Sequence, residues 1–101
     1  MNGMTMKKFY NAMIEYNEIE FTYHDIEYTY SKNSIPNKPD FVEITIWSGE
    51  PSIACQIRII SSKDKSKLAE AVNNILNSPI LLDGKTIREA EKEINVTVLF
   101  G

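Results

Sequence analysis

Cysteine and histidine each occur once in this chain, and that scarcity removes whole classes of chemistry. Cys55 cannot close an internal disulfide, and a zinc site of the usual His/Cys type would need ligands from a second chain. The four glycines (Gly3, Gly49, Gly84 and Gly101) are scattered, so there is no Gly-rich loop to cradle a phosphate. No apolar run approaches the roughly 20 residues needed to cross a bilayer. The segment from Met1 to Lys8 lacks the hydrophobic stretch of a secretory signal. The expected setting is therefore cytoplasmic, without membrane contact, and the Asn95-Val96-Thr97 sequon reads as chance. Arginine is also sparse. With 11 basic against 14 acidic residues, the net charge of -3 provides no broad positive field, which makes nucleic acid an unfavoured partner.

What is present describes an ordinary folded domain. At 101 residues, with 43% hydrophobic and 25% charged content, the chain is one domain over residues 1–101 with a single core. Ten aromatic residues and 14 isoleucines bury enough surface to offset chain entropy, which excludes disorder. Lysine outnumbers arginine nine to two, and isoleucine and asparagine are abundant. AT-rich coding leaves this pattern, pointing to a low-GC bacterium or its phage.

Alternation predicts two antiparallel hairpins. Across a His24-Asp25 turn, Tyr23 pairs with Ile26, Phe21 with Tyr28 and Ile19 with Tyr30, while Glu20, Thr22, Glu27 and Thr29 face the other way. Asn33 to Asp40, holding Pro36 and Pro39, reads as a loop. Phe41–Ser48 and Ser52–Ile60 form a second hairpin around Gly49, Glu50 and Pro51. Pairing Trp47 with Ser52 sets Ile46 against Ile53, Ile44 against Cys55 and Val42 against Ile57. Cys55 is then a buried, inert thiol. Phe41, Glu43, Thr45, Trp47, Ala54, Gln56 and Arg58 face out. A fifth strand over Asn95–Phe100 places Val96, Val98 and Phe100 on one side.

Helices flank these strands. Thr5 caps a first helix carrying Met6, Phe9, Met13 and Tyr16 on one stripe, ended by Asn17. Ser61 to Asp64 caps a second, over about 64–77, whose Leu68, Ala71, Val72, Ile75 and Leu76 recur at i, i+3, i+4, i+7 and i+8. Pro79 stops it, and an Asp83-Gly84 turn follows. Thr86 and Glu89 match a capping box opening a short third helix over 87–93, docked by Ile87, Ala90 and Ile94. The result is an α+β fold in the order αββββααβ, a four- or five-stranded, mainly antiparallel sheet with helices packed on one face.

Two segments carry a resemblance. Glu18-Ile19-Glu20-Phe21-Thr22-Tyr23 with its aromatic-rich second strand, and Ile75-Leu76-Asn77-Ser78-Pro79-Ile80 running into Asp83-Gly84-Lys85-Thr86-Ile87, resemble a set of small uncharacterised proteins of low-GC Gram-positive bacteria and their phages or mobile elements. The likeness leaves residues 33–60 largely unmatched, and it implies no activity and no functional residue.

Candidate chemistry is thin. His24 sits at a hairpin tip beside Asp25, an exposed turn residue with no nucleophile placed near it. Glu20 and Glu27 lie one diagonal step apart on the outer face, with Glu18 close by, and read as a solubilising acidic surface rather than an acid/base pair or cation site. Glu89, Glu91 and Glu93 spread around a helix. The outward face of the second hairpin is the stronger candidate, because an outward tryptophan offers a large contact area at low entropic cost. The expectation is a non-enzymatic interaction or regulatory protein without cofactor or metal. It would bind a protein partner, or itself as a homodimer, through Phe41, Thr45, Trp47, Gln56 and Arg58 or through an edge strand. The alternative is a nucleic-acid-associated regulator using Lys63, Lys65 and Lys67 at the start of the second helix.

Overall fold

A computed structural model describes residues 4–49 and 53–101. The first helix, α1 (Met6–Glu15), opens as its sequence dictates: the Thr5 hydroxyl accepts the Lys8 amide at 3.2 Å. Phe9, Ala12 and Met13 form its buried stripe, and Tyr16 is its C-cap. Five strands follow in one antiparallel sheet: β1 (Glu18–Tyr23), β2 (Ile26–Ile35), β3 (Lys38–Ser48), β4 (Ala54–Ser62) and β5 (Asn95–Phe100). The second helix, α2 (Lys65–Leu76), lies between β4 and β5 in the chain. The sheet order is β4-β3-β2-β1-β5, so β2 is central and β4 and β5 are the two edges.

The first hairpin has the register its side chains demand. Tyr23 pairs with Ile26, Phe21 with Tyr28 and Ile19 with Tyr30. His24 and Asp25 both have positive φ (52° and 63°), the signature of the type I′ turn that matches strand twist. Phe21 stacks on Tyr28 with ring centroids 5.2 Å apart, and Phe9 meets Phe21 edge-on at 5.8 Å. Helices and core therefore lie on the face that carries Ile19, Phe21, Tyr28, Tyr30, Ile44 and Ile46, and among the described residues no helix packs on the opposite, open face.

The expected loop over 33–40 is instead continued strand with a two-residue turn at Pro36-Asn37. Proline presets the first turn residue, and asparagine tolerates the positive φ (66°) needed at the next. Pro39 does not interrupt β3 because it falls in a register irregularity, where its missing amide withdraws no ladder bond.

The second hairpin differs from expectation by four residues. Ile46 pairs with Ile57 rather than Ile53, Ile44 with Ile59 rather than Cys55, and Val42 with Ser61 rather than Ile57. A slip by an even number keeps the side chains from Ile57 onward on their expected face, so alternation does not detect it. Trp47 pairs with Cys55 rather than Ser52; Glu50, Pro51 and Ser52, assigned to the hairpin tip and strand start, lie outside the described residues. The register shifts between Ile46 and Trp47, leaving Gln56 as the extra residue of a bulge. Alternation reverses there: Cys55 is exposed beside Trp47 on the open face, not buried, and Ala54 pairs with Ser48 on the helix side.

α2 is capped by Asp64, whose carboxylate accepts the Ser66 and Lys67 amides, and it buries Leu68, Ala71, Val72, Ile75 and Leu76. The third helix is not α-helical. Thr86 and Glu89 make the reciprocal capping box at 2.9 and 3.1 Å, but turns and one 3₁₀ segment (Glu91–Glu93) follow. After one bond of α type, from the Ala90 amide to the Thr86 carbonyl, the amides of Glu91, Glu93 and Ile94 donate to carbonyls three residues back. Ile87, Ala90 and Ile94 are nevertheless buried. In β5 a second bulge, at Thr97, divides the expected apolar side: Val96 pairs with Phe21 on the helix face, Val98 with Glu20 on the open face.

Candidate functional site

The open face is assembled row by row from the register. One row runs Arg58, Thr45, Ser31, Glu18 and Phe100; the next runs Cys55, Trp47, Thr29, Glu20 and Val98. Trp47 is half-buried in this surface, with the Arg58 guanidinium 6.0 Å from its ring centroid. Arg58 also faces Glu43, Nε to Oε2 at 3.8 Å. Its charge is thus drawn inward over the sheet rather than out over the edge.

Of the five residues expected to form a contact surface, three lie on this face with accessible side chains: Phe41, Trp47 and Arg58. Thr45 faces the same way but is only 4% exposed, covered between Ser31 and Arg58 in a central strand. Gln56, displaced by the bulge, donates to the Ser48 hydroxyl at 2.9 Å and is drawn away from the open face, half-buried. A residue outside the expected set takes its place. Ile60 is 56% exposed and lies diagonally beside Phe41, which is 42% exposed. The Ile59-Ile60 doublet was the available signal, since two adjacent apolar residues in a strand cannot both face the core.

Two depressions flank this Phe41–Ile60 pair. One, about 400 Å³, runs between β4 and α2, lined by Ile59, Ser61, Lys67, Glu70, Ala71 and Asn74 among others. The other, about 320 Å³, is bounded by residues of the Pro36-Asn37 turn and the start of β3. Elsewhere a cleft of about 450 Å³ joins the end of α1 to the start of α2, lined by Asn17, Lys32 and Lys63 among others. Lys32 there donates to the carbonyls of Met13 and Ile14, closing the C-terminal end of α1, and burial holds its ammonium below the usual lysine range.

The expected lysine cluster diverges. Lys63 borders the α1 cleft, Lys67 borders the β4–α2 groove, and Asp64 stands between them as helix cap. The carboxylates are closer together: partial burial, then Glu18 and Glu27, push the Glu20 carboxyl above its ordinary value. Among the described residues no group of three or more His, Cys, Asp or Glu side chains is placed to hold a metal ion.

His24 is more engaged than a free turn residue. Its ring stacks on Tyr23, its Nε2 lies 2.9 Å from Glu93 Oε1, and Asp83, not Asp25, is the carboxylate beside Nδ1. Tyr23 donates to Asp83 Oδ2 at 2.6 Å, a bond that holds the Asp83 carboxyl below its usual range. This set ties the β1–β2 tip to the segment preceding β5.

Comparison of the chain with protein-family models, with curated proteins and with solved structures finds no match. Among the described residues no helix is long and apolar enough to cross a membrane.

Proposed function

We propose that this chain is a non-enzymatic interaction protein of the bacterial or phage-infected cytoplasm, and that it binds a protein partner along the β3–β4 side of its sheet. The observation carrying this reading is the Phe41–Ile60 pair. Two large apolar side chains stand exposed side by side at a sheet edge, with Trp47 and Arg58 on the same face and an apolar-floored groove behind the strand. Exposed aromatic and aliphatic side chains beside an arginine are typical of the centre of a protein interface. A strand edge beside a groove fits recognition by strand addition, in which backbone bonds supply affinity and alternate side chains supply selectivity.

The nucleic-acid alternative has less support, because Lys63 and Lys67 border different depressions and no single stripe follows a phosphate backbone. An acid/base role for Glu20 and Glu27 has less still, since the carboxylates stand on an open sheet face rather than converging in a cleft. The test is selection from a display library of extended peptides. Binders should be recovered on the native chain and lost on Phe41→Ala and Ile60→Lys, with melting temperatures unchanged. Binders indifferent to both substitutions would place recognition elsewhere.

A further inference from the structure

Resting on that reading, we infer that the occupant of the β4 edge is β4 of a second copy of this chain, paired antiparallel about a twofold axis near Ile59, so that two five-stranded sheets join into one. Three observations converge on this arrangement.

The first is which edge is able to accept a strand. Edge strands are ordinarily guarded by lysine, proline, shortness or bulges. In β5 the bulge at Thr97 leaves only three residues of regular register, from Val98 to Phe100. In β4 the bulge at Gln56 leaves six, from Ile57 to Ser62, and that stretch contains neither lysine nor proline. Its one charge, Arg58, is turned back over Trp47 and toward Glu43. Among the described residues no strand pairs with the outer side of β4.

The second is that β4 is compatible with itself. Pairing about Ile59 sets Arg58 opposite Ile60 and Ile57 opposite Ser61, so no like charges stand directly opposite and each side chain faces the side its opposite number faces. The two Arg58 side chains become diagonal neighbours, each beside the Trp47 and Glu43 of its own copy. The exposed Ile60 then packs across the junction on the open face, beside Phe41.

The third is charge on the helix side. The groove behind β4 is rimmed by one cation and one anion, Lys67 and Glu70, one turn apart on α2. A strongly acidic or basic partner would satisfy one of them and repel the other. A copy related by a twofold axis brings its α2 in antiparallel, so that Lys67 of each meets Glu70 of the other. The groove supplies the space the two helices need.

The test is sedimentation velocity on the full chain, from nanomolar to submillimolar concentration, in low and moderate salt. The native chain should be a dimer that dissociates on dilution and does not grow further. Ile60→Lys, at an exposed position, should weaken the dimer by at least about tenfold with an unchanged melting temperature. Lys67→Glu alone should weaken it by several-fold, and Lys67→Glu combined with Glu70→Lys should restore it, because the swap re-forms both cross-copy pairs. A monomer throughout the range, a dimer indifferent to Ile60→Lys, or a double swap no better than the single reversal would each overturn the inference. The monomer result separates it from the broader reading: peptides that still bind in an Ile60-dependent way would mean that the same edge serves a foreign strand.

Discussion

Tyr30 shows how one hydroxyl organises the interior. It lies at the centre of the sheet with its ring fully buried, and burial pushes its phenol far above the usual range. Its hydroxyl donates to the Met13 carbonyl at 2.6 Å, one of the acceptors that the last turn of α1 leaves unpaired. Tyr30→Phe should therefore cost about 1 kcal/mol, as for a typical buried hydrogen bond, and not more, because Lys32 Nζ also reaches that carbonyl at 3.2 Å. Urea unfolding with a shifted midpoint and an unchanged slope is the check. A buried tyrosine in a strand announces that its hydroxyl needs a partner, but not which one. The Met13 carbonyl comes within reach only when α1 is laid across the sheet.

At the scale of elements, turns and caps show where local chemistry decides the outcome and where it does not. The tip of the first hairpin places two non-glycine residues at positive φ, and histidine and aspartate are among the side chains that tolerate it. A β-branched side chain does not, so Asp25→Val should lose about 1–2 kcal/mol, whereas Asp25→Gly should cause no comparable loss. Equilibrium denaturation of the two variants compares them directly. Pro36-Asn37 also makes a two-residue turn, and it reads as a loop only if both prolines are taken as strand breakers. The capping box at Thr86 and Glu89 was legible from its spacing, and both of its bonds form. The α-helix it usually opens does not follow, since past Ala90 the amides of Glu91, Glu93 and Ile94 bond three residues back rather than four.

Across the whole molecule, the carboxylates pull stability in opposite directions with pH. Asp64 and Asp83 lie below their ordinary value of 3.8, held there first by the hydroxyls of Ser66 and Tyr23 respectively. Depressed carboxyls contribute stability that is complete above about pH 4 and lost as pH falls through their folded values. Glu20 is raised above its ordinary 4.5, so the folded state holds its proton more tightly there. Partial burial, and then the neighbouring Glu18 and Glu27, make its ionisation lower stability as pH rises through that window. Glu20→Gln should accordingly raise the melting temperature at pH 7 and leave it nearly unchanged at pH 3. Asp83→Asn should flatten the acid limb of the stability curve. Thermal melts across pH 2–8 on the three proteins measure both effects, and a Glu20→Gln gain equal at both pH values would show that the ionisation of Glu20 is not its source.

Periodicity by itself determined the one-sided sheet, the buried stripes of α1 and α2, the register of the first hairpin, and the placing of Phe41, Trp47 and Arg58 on the open face. These depend on local spacing, and local spacing is written directly in the chain. Only the tertiary structure decided the second hairpin's register, the bulges at Gln56 and Thr97, and the insertion of β5 beside β1. An even slip preserves which way each side chain faces, and a bulge reverses it, so a pattern of alternation is blind to the first and misled by the second. The candidate contact surface turns on those same features. Gln56 leaves it because the bulge between β3 and β4 reverses its direction, whereas Ile60 continues the alternation of Arg58 and was marked in the sequence by the Ile59-Ile60 doublet.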